Sequence, residues 1–268
     1  MSANPPVTRK RPAVLRALGD AEPPDAIEVA GRSFTREEVL KHDSWAATAI
    51  YRDAAGVRII AKFNRAQSIF GVPMGWLGKA LAQREAGFMR RLAHLDFVPD
   101  DLGPVSAGGR VLPNAVARTF IEGHAFTAET PVDLAFFQTL RRQLRQVHRT
   151  GMAYVDLHKR ENILIDRQGQ PHLVDFQVSF AGRGWPLRQL QHMDFYHYRK
   201  NYGRALAAGL TPQRFARCVE PPAMIQAHRQ IAVPFRALRR RLLTLLRVRD
   251  ASGQAGSELE PEDAFRER

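Results

Sequence analysis

At 268 residues, the chain is long enough for one large domain or two modest ones with a full hydrophobic core. Its 44% hydrophobic and 25% charged content is ordinary for a globular protein, and no run of about 18 apolar residues is present, which excludes a bilayer-spanning helix. The single cysteine, Cys218, excludes an internal disulfide framework and a cysteine-clustered zinc site, while the net charge of +13 points to phosphate-bearing partners without choosing among them.

Residues 1–25 are rich in proline, lack periodicity and read as a flexible arm. No apolar stretch ending in a small-residue cleavage site follows their basic residues, so no secretory leader is expected; with the lone cysteine, this points to the cytoplasm. "AIEVAGRSF" (26–34) reads as a strand pair turning at Gly31. "TREEVLKHD" (35–43) reads as a short helix, with Thr35 and Glu38 spaced for a capping box. "SWAATAIYRDAAGVRIIAKFNR" (44–65) reads as two strands joined at Asp53–Gly56. In the second of these, Ile59, Ala61 and Phe63 share one face, and Ile60 and Lys62 share the other.

Residues 75–95 have helical periodicity, with Leu77, Leu81, Phe88 and Leu92 as the apolar stripe and Glu85 inside it. A carboxylate in that setting costs several kcal/mol unless it is paired. A cation is therefore expected against Glu85. "VARTFIEGHAF" (116–126) reads as a strand leading to Gly123. "TPVDLAFFQTLRRQLRQVH" (130–148) reads as a helix capped by Thr130, with Pro131 in its first turn and Asp133 near the positive dipole end. Strands flank "AYVDLHKRENILIDRQGQPHLVDFQVSF" (153–180), and from Leu187 onward the chain reads as mostly helical. Phe235, Leu238, Leu242, Leu245 and Leu246 line one face of a later helix, read as docked on the helical part of the protein. Residues 251–268 are polar and net acidic and read as a disordered tail. The plan is a strand-rich lobe over 26–123 and a helical lobe over 124–250, with the chemically interesting residues at their junction.

Within 153–180, Asp156 and Asp175 each end a short apolar approach, and Asn162 lies between them. One Asp in a turn is explained by bonds to its own backbone. The ordered set is not. Phosphoryl transfer from ATP needs a carboxylate to orient or deprotonate the acceptor hydroxyl and another to hold magnesium. It also needs an amide oxygen to complete the metal shell, and a lysine, steadied by a glutamate, to grip the phosphates. The chain supplies Lys62, Glu85, Asp156, Asn162 and Asp175 in that service. Pairing Lys62 with Glu85 also answers the buried-carboxylate problem.

These residues resemble the protein-kinase-like fold. "VDLHKRENILI" is similar to the catalytic loop, "LVDFQ" to the magnesium-binding Asp-Phe-Gly motif, and "IIAKF" to the lysine strand. More narrowly, the chain resembles the bacterial lipopolysaccharide-kinase and RIO-like branch over residues 27–205, whose members are compact and often lack a long activation segment. The resemblance implies an α+β fold of two lobes, a small strand-rich N-lobe and a larger helical C-lobe, with ATP and Mg²⁺ as cofactors. It implies Asp156 as the catalytic base, Asn162 and Asp175 as metal ligands, and Lys62 with Glu85 as the phosphate grip. Ile121, Glu122 and Gly123 of "FIEGH" would form the hinge, their backbone groups facing the adenine. Asp194, in "QHMDFYHYRK", would be a structural aspartate that steadies the catalytic loop.

The chain departs from the family pattern in three places. Asp156 and Asn162 are one position farther apart than usual, so His158 or Lys159 takes the phosphate-facing place; Lys159 is the candidate carried forward. Gln177 replaces the last glycine of Asp-Phe-Gly, which limits backbone freedom. "KHDSWAATAIY" (41–51) has no glycine, although Ser44, Ala46 and Ala47 are small.

A kinase acting on a hydroxyl acceptor is the first reading. No Ala-Pro-Glu anchor lies between Asp175 and Asp194, and Ser179 is the only hydroxyl residue there. Residues 181–250 hold fourteen Lys and Arg against Asp194, Glu220 and Asp250. Together these favour an anionic glycolipid or sugar such as lipopolysaccharide core, met peripherally on the inner membrane face. The alternatives are a serine/threonine protein kinase of RIO-like type and a pseudokinase binding module. A nucleic-acid partner ranks last, because the aromatics are not interleaved with the arginines as a stacking platform requires.

Overall fold

The computed structural model describes residues 12–69, 71–127 and 129–206. The expected leucine face at 235–246, the acidic tail and the larger part of the basic stretch 181–250 lie outside them.

The first half of the chain is strand-rich. β1 (Ala26–Val29) and β2 (Arg32–His42) turn at Ala30 and Gly31, both at positive φ, a region that glycine enters without steric cost. β3 (Ala46–Arg52) and β4 (Arg58–Asn64) follow. In the turn between them Asp53 Oδ1 accepts from the backbone N–H groups of Ala55 and Val57, as turn aspartates do. With β5 (Val105–Ala107), β6 (Arg110–Val111) and β7 (Ala115–Thr119) they form one antiparallel seven-stranded sheet, in the order β6-β5-β1-β2-β3-β4-β7.

The sheet curls until its two sides meet. Leu102 N–H donates to Ala117 O at 3.0 Å, and Thr119 N–H donates to Asp100 O at 3.1 Å. Ile27, Phe34, Tyr51, Ile59, Ala61 and Phe63 pack inside the curl. The expected two-faced strand is thus β4: its 59–61–63 face is the core, and Lys62 lies on the outer face, toward α1 (Gly75–Arg91).

Two expectations in this half are corrected. Residues 35–43 are not a helix: 35–42 continue β2, where Thr35 pairs with Ala26 and with Arg52, and Asp43 opens the turn that follows. Register shifts between Arg36 and Glu38, and between Val39 and Lys41, break the period-two alternation and so hid the strand. A cap worth about 1 kcal/mol cannot outweigh ladders on both sides. Of the expected arm, residues 12–25 are described, and they are held in place. From Pro12 the chain lies against the sheet, with Arg16 and Ala17 buried. Arg65, itself buried, donates to the carbonyls of Val14 and Ser44 at 2.7 and 2.6 Å.

The buried row of α1 is Gly78, Ala82, Glu85 and Met89, continued by Leu92, rather than the expected Leu77, Leu81, Phe88 and Leu92. The three displaced residues are half-buried. Small side chains decide the rotation, because a Cβ on Gly78 would overlap the Arg65 carbonyl oxygen. The helix lies directly on the end of β4.

In the second half α2 (Leu134–Arg149) is capped by Asp133, whose Oδ1 accepts from Phe136 N–H at 2.8 Å, one of the otherwise orphaned donors of the first turn. Thr130 is not the cap; its Oγ1 accepts from Thr127 N–H instead. β8 (Gly123–Ala125), β10 (Ile163–Asp166) and β11 (Pro171–Leu173) make a three-stranded sheet. β9 (Met152–Ala153) pairs with β12 (Phe180–Ala181). α3 (Gly184–Leu206) packs on β9 and α2. Phe137, Leu140, Leu144, Tyr154, Ile163 and Phe176 lie in the core of this half. The protein is therefore a mixed α+β structure of two lobes, one strand-rich and one helical, with kinase-like topology. No helix among the described residues is long and apolar enough to cross a membrane.

The close approach of α1 to β4 is testable. Gly78→Ala should destabilise by about 1–3 kcal/mol in urea denaturation, the cost of overpacking against rigid backbone. Gly87→Ala, in the same helix with nothing within 4 Å of a new Cβ, should stabilise by about 0.5–1 kcal/mol. Equal effects would show that Gly78 does not set the helix position.

Candidate active site

The register of β4 places Lys62 opposite Thr48 of β3 and Val116 of β7, on the outer face of the curled sheet. α1 brings Glu85, 2% exposed, up to it. The Lys62 ammonium sits 3.0 Å from Glu85 Oε2 and donates at 2.7 Å to Asp175 Oδ1. One cation thus joins a strand, a helix and the segment that follows β11. Asp175 has a φ of 60°, a left-handed conformation that Asp tolerates better than most residues. The next residue, Phe176, packs edge-on against Tyr154 with ring centroids 5.3 Å apart.

The charges in this cluster hold one another. Burial alone would lower the Lys62 pKa, but Asp175 and then Glu85 outweigh it and keep the ammonium above its ordinary value. For Asp175, burial pushes upward, yet the charge and hydrogen bond of Lys62 dominate and bring it to about 2. Glu85 goes the other way: its burial outweighs Lys62 and raises it.

The second part of the site hangs from α3. Tyr154 N–H and Val155 N–H each donate at 2.7 Å to the fully buried carboxylate of Asp194, which also meets His148 Nε2 at 2.8 Å. Those bonds hold Val155 at a φ of 70°, an outlier conformation for a β-branched residue. Asp194, expected to steady this loop, is bonded to it directly. Asp156 follows, 3% exposed. Its Oδ2 accepts from Lys159 Nζ at 2.9 Å and from Asn162 Nδ2 at 2.8 Å, while His158 Nδ1 lies 3.2 Å from Oδ1. A 3-10 turn at Arg160–Asn162 closes the loop. Burial would lower the Lys159 pKa, but Asp156 outweighs it and Asp175 adds to the rise. Lys159 therefore lies within the fields of both aspartates.

Ile121 and Glu122 connect β7 to β8. The Glu122 carboxylate pairs with Arg58 of β4 and, at 2.6 Å, with Arg167 of the β10–β11 turn. These exposed pairs link the lobes but each contributes little. Gly123 pairs with Asp166 in the β8–β10 ladder, and a Cβ there would overlap the Ile165 carbonyl oxygen. Strand packing alone accounts for that glycine.

Two contributors escaped the sequence reading. Arg118 stands on the same face of β7 as Val116, opposite Ile60. Burial lowers its pKa while Glu85 and Asp175 oppose the shift, so a second cation shares the field of the buried carboxylates. Strand alternation two residues from Val116 was the available signal. Arg84 of α1 donates through Nε to Gln177 O at 2.9 Å and through Nη2 to Ser179 O; bonds to backbone carbonyls leave no mark in sequence. In place of a glycine-rich lid, the β2–β3 turn is braced. Asp43 Oδ1 accepts from Trp45 and Ala46 N–H, and Ser44 Oγ donates to Leu15 O at 2.8 Å.

The donor set suits magnesium. Asp175 carries carboxylate oxygens, and Asn162, with its nitrogen committed to Asp156, has its carbonyl oxygen to offer. Mg²⁺ takes one or two such hard ligands and completes its shell with water and substrate phosphates. Among the described residues no cluster of three or more His, Cys, Asp and Glu forms an all-protein cage.

No family model and no curated protein matches the sequence. Among solved structures, the chain is similar to the Rio2 kinase from Chaetomium thermophilum, at 14% identity and a TM-score of 0.48, over 67% of this chain and 61% of that one. It is also similar to the ADP/Mg²⁺-phosphoaspartate complex of that kinase, at 13% identity and a TM-score of 0.49, over 71% of this chain and 73% of that one. The chain thus spans 61% of the first structure's length.

The ion cluster makes a thermodynamic prediction. Lys62→Met should cost about 3–5 kcal/mol, because it leaves Glu85 buried without its partner. Adding Glu85→Leu should recover most of that loss in chemical denaturation. Simple additivity of the two changes would show that the side chains do not interact in solution.

Proposed function

We propose that the protein is an ATP- and magnesium-dependent kinase that transfers the γ-phosphoryl group to a hydroxyl acceptor. The observation that carries this reading is the cross-lobe bond of Lys62 to Asp175, beside an Asp156 held by Lys159 and Asn162. Tyr154 ties the two halves of the site together, its hydroxyl donating to Val174 O next to Asp175 and lying 3.3 Å from Asn162 O.

Each residue then has a task. Lys62, kept charged by its carboxylates, binds the α- and β-phosphates, and Glu85 holds it in place. Asp175 and Asn162 would hold magnesium, which supplies neutralisation of phosphate charge. Asp156 Oδ2 accepts from Lys159 and Asn162, and Oδ1, 3.2 Å from His158 Nδ1, is the oxygen to which the acceptor hydroxyl would donate. The acceptor oxygen bonds to phosphorus as the bond to ADP breaks, and its proton passes to Asp156. Lys159, between the two aspartates, faces the charge of the transferring group. The backbone of 121–123 receives the base.

For the acceptor, the RIO-like protein-hydroxyl reading stands ahead of the anionic glycolipid. The glycolipid reading leaned on the cations of 181–250, most of which lie outside the described residues. The compact stretch 176–183, gripped by Arg84 and by the β12–β9 pair, fits either acceptor and does not choose between them. Radiolabelled ATP with magnesium, offered separately with protein substrates and with glycolipid extract, distinguishes the two. Asp156→Ala should slow transfer by about 10²–10⁴-fold, the range for losing a general base, and leave ATP binding intact. ATP binding by the wild-type protein without transfer to either acceptor would establish a pseudokinase instead.

A further inference from the structure

α2 carries arginines at positions 141, 142, 145 and 149. Separations of three, four, seven and eight residues put all four on one face of a helix, and each is exposed. The opposite face is the buried one, with Phe137, Leu140, Leu144 and Val147. The row is roughly 12 Å long at 1.5 Å per residue. Beside it lies an open concavity of about 390 Å³, lined among the described residues by Ala135, Gln138, Thr139, Arg141, Arg142 and Arg145.

The row has no carboxylates to answer it. Arg142 Nη2 donates to Thr139 Oγ1 at 3.0 Å, and among the described residues no carboxylate pairs with any of the four. Elsewhere Arg32, Arg52, Arg58, Arg90 and Arg167 each meet an acid. The sequence holds no acid between Asp133, which caps the helix, and Asp156. β9, β11 and α3 pack on α2 and contribute only Asp194, which is buried and bonded to His148 and to the backbone of Tyr154 and Val155. Glu129 and Asp133 precede the helix, at the end away from Arg149. Like charges three and four residues apart destabilise a helix. The helix dipole favours cations in the last turn, which accounts for Arg149 but not for Arg141 and Arg142 in the middle.

We propose that the arginine row of α2 docks the acidic segment 258–263 of the same chain. That segment, "ELEPED", holds Glu258, Glu260, Glu262 and Asp263 within six residues. These are four carboxylates for four guanidinium groups, whose planar forks match carboxylate geometry. The chain also leaves the described structure near the row. Tyr198 and Tyr202, close to the end of α3, pack edge-on against Phe137 of α2, and the described residues end at 206. Residues 207–257 make a tether far longer than the row even at the rise of a helix, and tethering raises the effective concentration of a weak ligand. A bilayer fits less well, because Leu134 is the only large apolar group exposed on this helix. Single-stranded nucleic acid also fits less well, because the helix exposes no Phe, Tyr or Trp for stacking. The inference is independent of the kinase reading.

The test uses the full chain without ATP, so its failure is separate from failure of phosphotransfer. Cys218→Ser with Ala264→Cys places one nitroxide label beside the acidic segment, and paramagnetic broadening of backbone amide signals is read by NMR. At low salt the signals of 141–149 should lose most of their intensity, and they should recover as salt screens the charges. Arg141→Glu with Arg145→Glu should abolish the broadening of α2. Replacing the four acids by Gln and Asn, with the row intact, should abolish it as well, which keeps the test decisive if the helix variant fails to fold. Unbroadened α2 signals at low salt, broadening confined to residues 207–250 with their own arginines, or broadening that survives neutralisation of the acids would overturn the proposal. Signals of α2 that ignore the label but shift on adding duplex RNA would overturn it in favour of a nucleic acid.

Discussion

The Lys62 ammonium is the point on which the two lobes agree. It stands on a strand of one lobe, beside a glutamate from the helix of that lobe, and bonds an aspartate from the other. Charges removed from water are stable only when paired, so the position of α1 and the course of the chain after β11 are both fixed by that pairing. Arg118 and Lys159 add further cations to the field of Glu85, Asp156 and Asp175. On the proposed reading an incoming phosphate competes with Asp175 for Lys62.

Around that cluster the backbone is immobilised by polar side chains. Asp194 satisfies two consecutive N–H groups and keeps Val155 in a conformation it would not adopt alone. Arg84 does the converse, satisfying carbonyls of the segment after Asp175. The β2–β3 turn owes its shape to Asp43 and to the N-terminal residues that reach it, with Arg65 gathering the carbonyls of Val14, Ser44 and Ser68. A braced turn replaces a permissive one. The chain exchanges the flexibility of glycine for a preformed site.

Much of this was legible because buried charge is conspicuous. Glu85 stood out in an apolar row even though the row itself was rotated, since Gly78 and Ala82 turned out to be its members and Leu77 and Leu81 its flank. The alternation of Ile59, Ala61 and Phe63 survived intact because β4 is central and regular. β2 did not survive, because its bulges erase the period on which recognition depends. Asp133 and Thr130 both cap helices well, and only the register of the first turn separates them. The segment at 12–25 was hidden for another reason: it is held by arginine bonds to its carbonyls, which no pattern of residue types records.

Magnesium-dependent nucleotide binding follows from the central assignment and does not depend on knowing the acceptor. Calorimetric titration of the wild-type protein with ATP, in excess magnesium and again in EDTA, should show binding that weakens markedly without the metal. In Asp175→Asn protein the two titrations should coincide, because the metal ligand is gone while the side chain's size is kept. Identical binding with and without magnesium in the wild type, or an unchanged magnesium dependence in Asp175→Asn, would contradict the assignment of Asp175 and with it the reading of the cleft as a kinase site.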